Sequence, residues 1–140
     1  MLNHLSILNF TLVDQLDLDF RAGMTVITGE TGAGKSILLD ALSQTLGSRA
    51  DGQKVRAGTK RADIHASFDI NCIPSARLWL DEQELLQEDN PEECLLRRVV
   101  TAEGRSKAFI NGRPVTLQQL RELGEQLIDL HSQHEHQSLL

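Results

Sequence analysis

The chain has 140 residues, about the size of one domain, with 40% hydrophobic and 24% charged residues, which excludes a disordered or low-complexity polypeptide. No apolar run approaches the roughly 18 to 20 residues that span a bilayer, and the opening MLNHLSILNF lacks the basic region and cleavage site of a secretory signal, so a cytoplasmic location is the default. The net charge of −6 argues against coating nucleic acid by bulk electrostatics, yet basic residues gather in two stretches, Arg49 to Arg61 and Arg97 to Arg113, countered by acidic residues from Asp81 to Glu93.

In chain order, Leu2 to Phe10 reads as a strand, and Asp14 to Phe20 alternates with Leu16, Leu18 and Phe20 on one face. A turn at Arg21-Ala22-Gly23 leads into Met24 to Thr28, a short buried strand that ends in a glycine-rich loop. Ile37, Leu38, Ala41, Leu42, Thr45 and Leu46 then recur at helical spacing, with Gly47 placed to end the helix in a left-handed turn. The segment from Gly47 to Arg61 reads as an exposed basic loop. Ala62 to Ile70 alternates over its whole length and predicts a strand with one wet face. Pro74 opens a helix whose stripe is Ala76, Trp79, Leu80, Gln83 and Leu86.

Leu95 to Thr101 is β-like, and Asn111-Gly112 between Lys107 and Val115 is a hairpin signal, with Pro114 restricted to an edge position. Thr116 and Gln119 form a capping box ahead of a short helix through Leu117, Leu120 and Leu123, closed by Gly124. Gln126 to Leu130 then reads as a further strand, followed by the polar run HSQHEHQ. Cys72 and Cys94 form no CxxC pair and read as ordinary thiols in a reducing compartment.

The residues Gly29, Glu30, Thr31, Gly32, Ala33, Gly34, Lys35 and Ser36 match the Walker A pattern GxxxxGK(S/T). Glycines let the backbone curl so that successive N–H groups face phosphate oxygens, and the helix starting near Lys35 adds its positive end. In such a loop Lys35 reaches the β- and γ-phosphates and the Ser36 hydroxyl takes one Mg²⁺ position, so ATP with Mg²⁺ is the expected ligand. The predicted strand before the loop and the helix after it are the context in which this pattern is meaningful.

Hydrolysis needs more than phosphate binding. Asp129 is the internal candidate for a Mg²⁺-holding acid, but only Leu127 and Ile128 precede it, and a polar position on a half-exposed strand explains it as well. His131, His134 and His136 with Glu135 are metal-ligand types at a spacing that fits no zinc motif, so a solvated loop accounts for them. The Arg97 to Arg113 stretch reads either as a contact for a phosphate backbone or as a solvated surface, with Phe109 the one aromatic among it.

Beyond the P-loop, the segments RAD, CLLRRVV, GRSKAFINGRPV and LIDLHSQHEHQSLL closely resemble the N-terminal part of the RecN family of bacterial DNA repair proteins, of the SMC type of ABC ATPases. The resemblance runs from Leu2 to Leu140, and FINGRPV combined with HSQHEHQ is far more specific than the Walker pattern. It implies an α/β P-loop fold of the ABC-ATPase head type, a mixed sheet with an antiparallel β portion, in which residues 1–140 are the N-terminal half-head. Gln133 is then similar to the Q-loop glutamine, which contacts Mg²⁺ and the attacking water, and it sets aside Asp129 as the Walker B acid. Arg49 falls where related heads carry an arginine near phosphates or DNA. The chain holds no LSGG-type signature, no hhhhDE segment and no later switch histidine, which in the family lie in the C-terminal half.

The resemblance further implies DNA as a partner of the parent protein, the chain's own C-terminal lobe, a second head in a homodimer, and a cytoplasmic, nucleoid-associated location without a membrane. Two other functions are open on the residues alone. A small self-contained P-loop kinase needs an internal acid such as Asp129, and a DNA-binding module using the Arg97 to Arg113 hairpin needs no nucleotide.

Overall fold

The computed structural model describes residues 1–22 and 32–133. Six strands, β1 (Leu2–Phe10), β2 (Val13–Asp19), β3 (Arg61–Asp69), β4 (Glu93–Thr101), β5 (Ser106–Ile110) and β6 (Arg113–Val115), form one sheet in the order β2-β1-β3-β4-β5-β6. Every pairing in it is antiparallel. Three helices accompany it: α1 (Gly32–Thr45), α2 (Pro74–Glu82) and α3 (Leu117–Gln133). This is the antiparallel portion expected beside a P-loop helix. The strand expected at Met24 to Thr28 lies outside the described residues.

The sheet follows from period-2 patterning. In β3, Ala62, Ile64, Ala66 and Phe68 are buried while Asp63, His65 and Ser67 face the other way, so one face is a core surface and the other is wet. Cys94, Leu96 and Val100 of β4 and Ala108 and Ile110 of β5 extend the same core surface. Burial pushes the Cys94 thiol up to about 12, with Glu93 adding to the shift, which makes it an inert packing group, whereas Cys72 is exposed. α1 packs across the core face against β1, β3 and β4, and α3 packs against β5 and α2.

Short motifs set the chain's reversals. Asn111 and Gly112 both have positive φ, as a type I′ hairpin turn requires, and Pro114 sits on β6, the outermost strand. Asn111 does more than turn the chain. Its Oδ1 accepts from the Leu95 N–H at 2.8 Å, and its Nδ2 donates to the Leu85 carbonyl at 2.8 Å, so it joins the hairpin to β4 and to the segment after α2. The capping box forms as expected: Gln119 N–H donates to Thr116 Oγ1 and Thr116 N–H to Gln119 Oε1, each at 3.0 Å.

The expected strand at Gln126 to Leu130 is not one. α3 continues unbroken from Leu117 to Gln133 because Leu120, Leu123 and Leu127 form one buried helical stripe. Gly124, read as a terminator, lies inside this helix, where its missing side chain serves packing. A Cβ at Gly124 would stand 2.5 Å from the Leu46 carbonyl oxygen, so the end of α1 lies directly against the backbone of α3.

α1 itself stops in a Schellman motif. Ser48 N–H donates to Ser43 O at 3.1 Å and Gly47 N–H to Gln44 O at 3.4 Å, with Gly47 at φ +106. Arg98 then plugs this end from β4. It is fully buried, and Nη1 donates to the Gln44 and Ser48 carbonyls at 2.8 and 2.7 Å while Nη2 donates to Ser106 Oγ at 3.1 Å.

Gly124→Ala tests the close crossing of α1 and α3. Helix propensity alone favours alanine by about 1 kcal/mol, whereas a Cβ pressed on a backbone carbonyl has no flexible neighbour to displace. The expected net result is destabilisation by about 1 to 3 kcal/mol in urea or thermal unfolding.

Candidate functional site

The phosphate-binding loop is expected to open onto the start of α1, and the described part of it fits an anion. Lys35 and Ser36 are exposed in the first turn of this 14-residue helix, and that turn holds no acidic residue to occupy its free N–H groups. Gly32, Ala33 and Gly34 belong to the same turn by backbone, while Gly29, Glu30 and Thr31 lie outside the described residues. Gln133 is the last residue of α3 and so ends a helix, where a strand was expected before it. Asp129 is likewise on α3, which removes the strand that a Walker B acid would end.

Arg49 is exposed and follows the carbonyl end of α1, away from Lys35, because residues 35 to 45 of the helix separate them by about 15 Å. Its carbonyl accepts a bond from Gln44 Nε2 at 3.1 Å, which fixes the backbone there. The loop then doubles back. Lys54 Nζ pairs with Asp40 Oδ2 at 3.0 Å, one turn of helix beyond Ser36, and Arg56 N–H donates to Asn9 O at 2.9 Å. Lys54 is therefore a basic group brought alongside the P-loop helix that sequence reading missed. Only a carboxylate at one helical position and a lysine 14 residues on pointed to it, and loop geometry is not written in that spacing.

The second basic stretch is dispersed by the strand it lies on. Neighbouring side chains on a strand face opposite ways, so Arg98 enters the core and Arg97 the wet face. Arg97 donates from Nε and Nη2 to the two carboxylate oxygens of Asp63 at 2.9 and 2.7 Å, fork to fork, and lies 5.1 Å from the Phe109 ring centroid. His65 Nε2 stands 3.1 Å from the same Asp63 carboxylate. Arg113 Nη1 donates to the Glu84 carbonyl at 2.6 Å. Of the five basic residues, Arg105 and Lys107 stay exposed without such a bond among the described contacts. Of the stretch, Arg98 alone is withdrawn into the core, while Arg105, Lys107 and Arg113 are exposed.

His134, Glu135 and His136 lie outside the described residues, among which no group of three or more metal-ligand side chains gathers elsewhere. No helix among the described residues is long and apolar enough to cross a membrane.

Asp63 carries the clearest electrostatic signal on the wet face. Burial works against its charge, but hydrogen bonds from His65 and Arg97 outweigh burial and hold its carboxyl well below the usual carboxylate range. A carboxyl depressed in the folded state contributes stability that is complete above its unfolded pKa of about 4 and is lost as pH falls towards its folded pKa. Asp63→Asn is expected to cost about 1 to 2 kcal/mol at pH 7, and the difference from the parent chain should shrink steadily in unfolding curves taken below about pH 4.

The sequence matches the RecF/RecN/SMC N terminal domain family over residues 1–131. It is 51% identical to the DNA repair protein RecN of Haemophilus influenzae and 52% identical to that of Vibrio cholerae, each over 140 residues that cover all of this chain and 25% of the relative. The chain thus spans about a quarter of the length of these curated relatives. A solved SMC ATPase, described for its ATP-driven dimerisation and DNA-stimulated activation, superposes with a TM-score of 0.67 at 23% identity over 91% of this chain and 79% of that one.

Proposed function

Because the chain belongs to the RecF/RecN/SMC N terminal domain family, on its RecN branch and with the fold of the N-terminal half of an ABC-ATPase head, we propose that it is the Mg-ATP-binding half-head of a DNA repair ATPase. The observation that carries this is the start of α1: Lys35 and Ser36 are exposed on a helical turn free of acids, directly after a glycine-rich loop. Lys35 would hold the β- and γ-phosphates, Ser36 would offer its hydroxyl oxygen to Mg²⁺, and the backbone from Gly29 to Gly34 would cradle the phosphate oxygens. Gln133 would lie on the metal's near side and orient the attacking water. Mg²⁺, when held there, would supply charge neutralisation for phosphoryl transfer.

Half a site is all that this chain supplies. It contains no LSGG-type signature and no hhhhDE acid, so productive hydrolysis requires a C-terminal lobe and a second head, with DNA as the parent protein's substrate in recombinational double-strand-break repair. α1 supports a covering lobe. Leu39 is 48% exposed, and Leu38 and Leu42 are only half-buried, so the apolar surface of α1 extends beyond the face that the sheet covers. A bacterial cytoplasmic setting, on the nucleoid, follows from the same reading.

Calorimetric titration of the purified chain with Mg-ATP is expected to show weak binding that falls by about tenfold or more in Lys35→Ala, with negligible phosphate release from either. Steady turnover by the isolated chain that Lys35→Ala abolishes would defeat the half-head reading. Duplex DNA binding that responds to salt but is indifferent to ATP and to Lys35→Ala would favour a binding module instead.

A further inference from the structure

Two guanidinium groups converge on the carbonyl end of α1 from different elements. Arg98 reaches from β4 to the Gln44 and Ser48 carbonyls, and Arg121 reaches from α3 to the Gly47 carbonyl with Nε at 2.9 Å. They lie close enough that burial first, and then the charge of Arg121, holds Arg98 below its usual pKa. Like charges so near one another are held by the last carbonyls and the negative end of the helix.

The same place is where two glycines bring backbones together. A Cβ at Gly47 would stand 2.5 Å from Arg121 Cγ and 3.0 Å from Arg121 Cα, and one at Gly124 would stand 2.5 Å from the Leu46 carbonyl oxygen. At Gly47 the nearest group is the Arg121 side chain, and at Gly124 it is backbone. From this crossing, α1 runs back from Thr45 to Ser36 over nine residues, about 13 Å, and α3 runs on from Gly124 to Gln133 over nine, about 13 Å. Each arm is an unbroken run of helix.

We infer that Arg121 is a positioning residue for the nucleotide site, locking α1 and α3 into one body. The lock is its bond to the Gly47 carbonyl together with the Gly47 and Gly124 crossing. Phosphate capture at the first turn of α1 is then felt at its far end and along α3 towards Gln133. The inference rests on the reading that Lys35 and Ser36 hold Mg-ATP.

Hydrogen exchange of the full 140-residue chain, with and without Mg-ATP, tests it, each variant measured equally far below its own thermal midpoint. In the parent chain, nucleotide should slow exchange at residues 32–40, at 44–49 and at 121–128. Arg121→Met should keep the slowing at 32–40 and lose it at 121–128, whereas Arg121→Lys, which retains a donor, should keep both. Where Arg121→Met does not fold, Arg121→Gln takes its place with the same expected loss. Slowing confined to 32–40 in the parent chain, or retained at 121–128 in Arg121→Met, would overturn the inference while leaving nucleotide binding standing. If slowing persists in Lys35→Ala, or nucleotide produces none in the parent chain, the nucleotide-site reading falls and the inference with it.

Discussion

A guanidinium shut away from water holds the P-loop helix to its sheet. Arg98 sits at a core-face position of β4, opposite Ile64 of β3, where every neighbour in the strand pattern is apolar. Burying such a charge costs several kcal/mol, and no carboxylate among the described residues pairs with it. What compensates is the end of α1. The last carbonyls of a helix lack intrahelical donors and carry its negative end, so one guanidinium both satisfies them and is stabilised by them. The direction of α1 over the sheet is thereby fixed at one end by a bond network, while Lys35 and Ser36 near the other end are exposed.

That asymmetry suits the role proposed for α1, whose N-terminus would receive phosphate. An N-terminus buried by the fold's own side chains has no free N–H groups to offer, whereas a C-terminus left unbonded wastes carbonyls and leaves the helix free to shift. Arg98 and Arg121, with the Schellman turn at Gly47, meet the second requirement entirely from inside the chain. The loop after α1 adds a third restraint through Lys54 and Asp40.

How much of this was legible depended on whether the signal was local. β3 was readable because Ala62 to Ile70 alternates with no interruption, and the hairpin was readable because Asn111-Gly112 supplies two positive φ values. The ending of α1 at Gly47 was equally plain. α3 was misread because Gly124 resembles a stop signal and Leu127-Ile128 resembles a strand, while the stripe Leu120, Leu123, Leu127 needs a longer window to be seen. Arg98 carried a signal that charge counting hid: its parity with Cys94, Leu96 and Val100 puts it in the core, which no tally of basic residues reveals. For the site, Lys35 and Ser36 were legible as a motif, whereas Lys54 was not, since its approach to Asp40 depends on how a loop turns back.

One of the two segments that carry the family resemblance holds several structural stitches. Within GRSKAFINGRPV, Ser106 accepts from Arg98, Asn111 ties the hairpin to Leu95 and Leu85, and Arg113 donates to Glu84 O. These bonds join distant parts of the chain, and Asn111 alone among the three holds two partners at once. A phosphate loop is constrained differently. Its chemistry is done by backbone N–H groups, one lysine and one hydroxyl, a requirement that unrelated folds meet with the same few residues. In GRSKAFINGRPV the residues that carry the family resemblance thus include ones that hold the fold together, whereas the ligand is read from a motif that many folds share. Both kinds of residue bear on α1, whose first turn carries the motif residues Lys35 and Ser36 and whose far end is bonded by Arg98 and Arg121.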